Sequence, residues 1–159
     1  MSVIILDIDG CISDDRWRQH HIDKSRAGWH KYHSLSAFDE VINRHLFENT
    51  RHQIVIFTGR PVHYHPQTVE WLKRAGLQTI AILMRPPDMF IPAAKLKEHH
   101  LGLLRRAHFE STGEDRLPKI ERAYDDNESV ISMYRRNGIK AKQVHYPGED
   151  FAIGARNVR

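Results

Sequence analysis

Short apolar runs alternate with amphipathic stretches along this chain. Val3–Leu6 is four apolar residues in a row, and the run ends in Asp7-Ile8-Asp9, so Val3–Asp9 reads as a buried strand with polar groups at its carboxyl end. Ile54–Phe57, Ile80–Met84 and Ile120–Tyr124 have the same strand-like length, and residues 140–146 give a fifth strand. Between them Phe38, Val41, Ile42 and Leu46 recur at helical spacing and predict an amphipathic helix over 37–50. Pro66 suits the first turn of a helix holding Val69 and Leu72, with Gly76 as its cap. A proline-rich turn over 85–92 leads to a helix near 93–106, and residues 109–118 read as loop. Asn127 is an N-cap for a helix over 128–137, which Gly138 ends. Residues 11–36 are polar around Trp17, Trp29 and Tyr32, and form either a long loop or a small lid with a helical turn.

Strands followed by helices imply an α/β fold: a Rossmann-like, parallel five-stranded sheet flanked by helices, with the small lid between strand 1 and helix 1. No repeat or linker interrupts the pattern, so residues 1–159 are expected to be a single domain. At 40% hydrophobic and 28% charged residues the composition is that of a globular protein. No apolar run is long enough to span a bilayer, no export signal precedes Asp7, and Cys11 is the sole cysteine; a cytoplasmic location is expected. The net charge of +4 favours an anionic partner. The twelve histidines are scattered, and His20–His21 and His99–His100 lack zinc-site spacing, so solvated surface histidines are expected.

Ligands in such sheets bind beyond the carboxyl ends of the strands. Here those ends carry Asp7 and Asp9, then Thr58-Gly59-Arg60, then Asp125-Asp126, and the helix after the third strand adds Lys97. Apolar residues hold Asp7 half-buried, and adjacent Asp125 and Asp126 repel each other, so the cluster calls for a cation. A hard divalent ion such as Mg²⁺, which takes oxygen ligands and accepts a substrate phosphate, meets that need.

Asp7-x-Asp9-Gly10, Thr58, a downstream lysine and Asp125-Asp126, in that order, resemble the four motifs of the haloacid dehalogenase superfamily. Asp14–Ile22, Trp29-x-x-Tyr32, Thr58-Gly59-Arg60-Pro61, Leu83-Met84-Arg85-Pro86 and Ala123–Asp126 are similar to the phosphatase domain of the polynucleotide kinase-phosphatase family. Cys11 stands where that superfamily often has Thr, and Ala93 where an acid often precedes the motif lysine. The chain lacks G-x-x-x-x-G-K-[ST], and with it the kinase half of that family.

The resemblance implies an Mg²⁺-dependent phosphomonoesterase working through an aspartyl-phosphate, most readily a polynucleotide 3′-phosphatase on DNA or RNA ends. In it Asp7 is the nucleophile, Asp9 the general acid/base, Thr58 a phosphate contact and Lys97 the charge-offsetting group. Asp7, the Asp9 backbone carbonyl, Asp125 and Asp126 are implied as metal ligands, Asp126 serving as outer ligand or as anchor for Lys97. Gly10, Cys11, Gly59, Arg60 and Arg85 are expected to meet the substrate, and Lys97 is favoured over Lys95 by spacing. A nucleotidase or other small-molecule phosphatase is the alternative, and a non-catalytic module binding phosphorylated ends a third reading. Trp17, Trp29 and Tyr32 stack a base or form the lid's own core. The basic run Lys95, His99, Arg105, Arg106, His108 and Arg116 tracks a phosphate backbone or is a solvated helix face. A separate kinase or ligase partner fits the missing kinase motif.

Overall fold

The computed structural model describes residues 2–148; Met1 and residues 149–159, which hold most of the tail expected after the fifth strand, lie outside the described residues. Among the described residues seven strands occur in chain order: β1 (Val3–Leu6), β2 (Ser13–Asp14), β3 (Glu40–Val41), β4 (Gln53–Pro61), β5 (Ala81–Arg85), β6 (Ile120–Asp125) and β7 (Ala141–Gln143). Four α-helices, α1 (Arg26–Ser34), α2 (His65–Arg74), α3 (Ala93–Thr112) and α4 (Glu128–Arg136), pack around them. Five strands form a wholly parallel sheet in the order β5-β4-β1-β6-β7. The chain thus winds outward from β1 to one edge and then returns to fill the other. That reversal places the crevice for a ligand beside the carboxyl end of β1.

Side chains alternate across a strand, and both faces of this sheet are covered, which is why the strands are apolar throughout. Ile4, Leu6, Ile54 and Ile56 bury one face against Trp71 and Leu72 of α2, joined by Leu46, Phe47 and Val144. Val3, Ile5, Val55 and Phe57 bury the other against Leu101 and Leu104 of α3 and Val130, Met133 and Tyr134 of α4. Each such side chain, removed from water, contributes about 1.5–3 kcal/mol. The expected parallel sheet with helices on both faces is therefore what forms. α4 starts at Asn127, whose Oδ1 accepts from the Ser129 amide at 2.9 Å, and Gly138 closes it at φ +73°.

Two expectations fail. Residues 37–50 are not a helix: a 3-10 turn at Ser36–Phe38, β3 and a second 3-10 turn at Arg44–Leu46 replace it. Val41 pairs antiparallel with Ser13, Phe38 is 71% exposed, and Asn43 takes a left-handed backbone (φ +50°) that stops a helix. Its side-chain amide instead donates to the carbonyls of Cys11 (2.9 Å) and His145 (3.1 Å). Residues 109–118 are not wholly loop either, since α3 runs on to Thr112 and ends at Gly113, φ +76°. The 11–36 stretch is not one long loop: it holds β2, a 3-10 helix over Arg16–His21, and α1, whose N-cap Ser25 accepts from the Gly28 amide at 2.9 Å. Among the described residues no helix is long and apolar enough to cross a membrane.

Candidate active site

β1 stops at Leu6, and the Asp7 amide still donates to Tyr124 O of β6 (3.1 Å), so Asp7 begins the departure from the sheet under full backbone control. The chain then winds into one tight turn: the amides of Cys11, Ile12 and Ser13 all point at the Ile8 carbonyl, at 2.9 to 3.0 Å, and Gly10 adopts φ +76° to allow it. The Gly10 amide donates to Ser13 O at 3.0 Å. The Gly10 and Cys11 amides, expected at the phosphate, are thus engaged inside the turn. The Cys11 thiol is fully buried, and burial, reinforced by the charges of Asp7 and Asp125, pushes it well above its ordinary pKa.

Lys97 lies one turn into α3, whose amino end faces the strands' carboxyl ends, and its ammonium bridges Asp7 Oδ1 (2.9 Å) and Asp125 Oδ2 (2.5 Å). The side chain is only 3% exposed. Burial alone would discharge it, but Asp125 and Asp7 outweigh that and raise its pKa, so it remains a cation. Lys95 is exposed, which separates the two candidates for this position. Asp125 is further fixed by the Asn127 amide, which donates to its Oδ1 at 2.9 Å, and by its own carbonyl, which accepts from the Val144 amide at 2.9 Å. Oxygens of Asp7, Asp125 and Asp126, all buried, lie within 4.8 Å of one another. Three hard carboxylate oxygens at that spacing fit a hard divalent ion better than any soft metal. The Asp9 carboxylate is not one of the three.

Asp9 turns instead to the lid. Its Oδ1 accepts from Arg18 Nη2 (2.6 Å), Arg60 Nη2 (2.8 Å) and Ser13 Oγ (3.3 Å), and its Oδ2 from Arg60 Nε (3.1 Å). Arg60, expected to meet the substrate, is fully buried; it holds Asp9 and donates to Thr68 Oγ1 (3.2 Å). Arg18, also fully buried, donates to both oxygens of Asp39 (2.8 and 2.6 Å), and Trp17 Nε1 shares Asp39 Oδ1 at 2.9 Å. Burial raises the Asp39 carboxyl above its ordinary pKa, against the pull of Arg18.

Thr58 is buried in β4 with its hydroxyl accepting from the Arg60 amide at 3.2 Å. Arg85 is half-buried and bonded to the carbonyls of Gly59 (3.2 Å), Met89 (2.9 Å) and Ile91 (2.8 Å), so it shapes the 85–92 loop beside the rim. Ala93 leaves no acid before Lys97, whose orientation comes directly from Asp7 and Asp125.

Several residues here carry no sequence signal of their own. Arg18 and Asp39 lie in polar stretches that read as solvated, although Arg18 is nine residues after Asp9 in the hallmark DDRWRQHHI. Tyr32 places its ring 4.2 Å from the Arg18 guanidinium, and half-buried Trp29 meets Tyr32 edge-on at 5.8 Å, so these two rings pack on each other. Trp17 remains 46% exposed. His33 and His100 are buried, contrary to the surface reading, and burial lowers their pKa to about 3 and about 4 respectively. Of the basic run, Arg105 pairs with Asp115 (2.8 Å) and Arg106 with Glu110 (3.0 Å) on α3, and His108, with Arg116 just past its end, meets Glu114 (3.4 and 2.5 Å). α3 rises about 1.5 Å per residue away from Lys97, so these groups form a solvated helix face distant from the site.

A chain of the Pnkp1/Rnl/Hen1 RNA repair complex superposes at TM-score 0.64 with 19% identity, covering 94% of this chain and 43% of that one. A haloacid dehalogenase-like family hydrolase from Streptococcus pneumoniae gives 0.59 at 13% identity, covering 89% of this chain and 83% of its own. A HAD-superfamily hydrolase of subfamily IA from Geobacter sulfurreducens gives 0.51 at 10% identity, covering 89% and 85%. These likenesses speak for the fold, and the chain spans under half the length of the Pnkp1/Rnl/Hen1 chains it matches (43% and 47%). No curated protein matches the sequence. The family model for the polynucleotide kinase PNKP phosphatase domain matches residues 1–151. A match over nearly the whole sequence, carried on this fold, makes the chain a member of the PNKP phosphatase-domain family, and so a haloacid dehalogenase-type hydrolase.

Proposed function

We propose that this chain is a Mg²⁺-dependent polynucleotide 3′-phosphatase that works through an aspartyl-phosphate. The observation that carries the reading is Lys97 held between Asp7 and Asp125, with Asp126 completing a triad of oxygens within 4.8 Å. Asp7, Asp125 and Asp126, with the Asp9 backbone carbonyl, would hold the ion, which when bound neutralises phosphate oxygens and so favours attack by an anion.

Asp7 attacks phosphorus, forming a carboxyl O–P bond as the ester P–O bond to the sugar oxygen breaks. Asp9 gives its proton to that leaving oxygen, then takes one from the water that hydrolyses the aspartyl-phosphate, regenerating Asp7 and releasing phosphate. The shorter bonds from Arg18 and Arg60 fall on Asp9 Oδ1, so Oδ2 is the oxygen we assign to proton exchange. Lys97 keeps its charge throughout, steadying Asp7 as a nucleophile and the negative charge that builds on the phosphoryl group. Thr58 is assigned a phosphoryl oxygen, with Gly59 beside it, while the Gly10 and Cys11 amides stay engaged in their turn.

Residues 11–36 supply only a small lid, and this leaves the rim open to a polymer end where a large cap would enclose a metabolite. The family match supports the same substrate class. We place the protein in the cytoplasm as one catalytic domain that prepares ends for a separate ligase.

The test offers purified protein with Mg²⁺ a 3′-phosphorylated oligonucleotide, its 5′-phosphorylated counterpart and mononucleotides. Phosphate release confined to the 3′ end supports the proposal. Faster release from mononucleotides makes the chain a nucleotidase, and binding without release makes it an end-binding module.

A further inference from the structure

We propose that Tyr146, in the segment after β7, is a positioning residue for the acid Asp9, acting through Asp15, Tyr32 and Arg18; this rests on the reading of Asp9 given above. Asp15 is fully buried at the root of the lid. Its carboxylate accepts from the Tyr32 hydroxyl at 2.6 Å and from the Tyr146 hydroxyl, 131 residues along the chain. Gln19 Nε2 closes the group, donating to the Tyr146 oxygen at 2.9 Å and to Asp15 Oδ2 at 3.4 Å.

Tyr32 in turn fixes Arg18 from two directions. Its carbonyl accepts from Arg18 Nη1 at 3.0 Å, and its ring lies 4.2 Å from the guanidinium carbon. Arg18 then delivers Nη2 to Asp9 Oδ1 at 2.6 Å. Each link is a directional contact made by a buried side chain. A buried network of this kind holds one geometry because leaving any member unsatisfied is costly.

Tyr146 is itself well anchored. The Val144 amide donates to Asp125 O at 2.9 Å, His145 O accepts from Asn43 Nδ2 at 3.1 Å, and the Arg16 guanidinium sits 4.6 Å from the Tyr146 ring centre. One three-residue strap thus touches Asp125 on the metal side and Asp15 on the acid side. Without the Tyr146 hydroxyl, Asp15 loses a donor and Tyr32 and Arg18 gain freedom; Arg18 keeps Asp39, and Asp9 keeps Arg60 and Ser13, so the aim of Asp9 at the leaving oxygen loosens but is not lost.

The consequence is selective. A sugar alkoxide is a poor leaving group and needs the proton from Asp9, whereas p-nitrophenolate departs without one. The experiment therefore compares a 3′-phosphorylated oligonucleotide with p-nitrophenyl phosphate in the pre-steady-state burst, which reports phosphoryl transfer to Asp7 alone. In Tyr146→Phe the ratio of oligonucleotide to aryl phosphate burst rates is expected to fall about tenfold, a fraction of what a general acid supplies. Gln19→Ala, which removes the amide that donates to Tyr146 and Asp15 but leaves the Tyr146 hydroxyl in place, is expected to lower the same ratio by a smaller factor. Equal losses on both substrates, or an unchanged ratio in both variants, would overturn the proposal and leave the phosphatase reading standing. If wild-type protein forms no aspartyl-phosphate at Asp7 and releases no leaving group from either substrate, the reading of Asp7 and Asp9 falls, and the role of Tyr146 with it.

Discussion

Replacing Lys97 with Met keeps much of the side-chain volume and removes the charge. The ammonium is 3% exposed and 2.9 and 2.5 Å from two buried carboxylates, so the substitution leaves both anions without it in a water-poor site. Removing one partner of a buried ion pair costs about 3–5 kcal/mol. For a chain of this size that is a drop in Tm of roughly 6–20 °C, measured by calorimetry in the presence of a chelator. Excess Mg²⁺ supplies the missing positive charge, contributing about 2.7 kcal/mol at a hundredfold excess over its dissociation constant. The Mg²⁺-induced rise in Tm is therefore larger in Lys97→Met than in wild type. The pH dependence has a definite sign. The folded pKa of Lys97 is raised above the unfolded 10.5, so its contribution is complete below 10.5 and is lost as pH climbs beyond it. The gap between the proteins is flat at neutral pH and closes only in alkali. Turnover falls about 10²–10³-fold, as when a buried electrostatic donor to the transition state is removed. A variant as stable as wild type in chelator, or one with the same response to Mg²⁺, would refute the view that this lysine and the ion neutralise the same carboxylates.

Other expectations follow from single contacts. Asp7→Asn abolishes phosphate release while the circular dichroism spectrum stays that of wild type; substantial residual release would remove Asp7 as nucleophile. His33 has a folded pKa of about 3 against 6.5 unfolded, so the unfolded chain protonates first and stability present above pH 6.5 is lost as pH falls towards 3. That loss is about 2 kcal/mol by pH 5; urea unfolding of His33→Phe at pH 7 and 5 should show a correspondingly smaller drop. Gly28→Ala puts a Cβ against His21 O and Asp23 Oδ1, too close for either. The lid has to shift, lowering stability by about 1–3 kcal/mol and reducing turnover together with it.

The sheet and its rim were legible because buried parallel strands must be apolar and their polar ends have nowhere else to go. Asp7, Lys97 and Asp125 stand out as charges tied to such elements, and the structure brings those three together. The 37–50 region misled because Phe38, Val41, Ile42 and Leu46 fall at helical spacing by coincidence. Pairing of Val41 with Ser13, and of the Asn43 side chain with carbonyls far along the chain, overrides that local pattern. Arg60 reads as a rim cation from its place at the carboxyl end of β4, but its guanidinium turns inward to Asp9, a direction no periodicity records. The Arg18–Asp39 and Asp15–Tyr146 contacts were invisible for a related reason: each joins polar residues in different segments, and a polar segment looks the same whether water or a partner satisfies it.

The central strand of the sheet is also the first to be made. Its neighbours β4 and β6 begin at residues 53 and 120, and Tyr146 comes later still. At about 5–20 residues per second, the segment Val3–Leu6 leaves the ribosome several seconds or more before β6 can cover its second edge. Until Lys97 and then Asp125 have been made, a strand of four aliphatic side chains, ending in the proposed nucleophile, lacks the lysine and the partner acid that the folded site sets beside it. Synthesis itself therefore withholds the active site until the last strands exist, and during that wait the second edge of β1 stays open to a wrong partner.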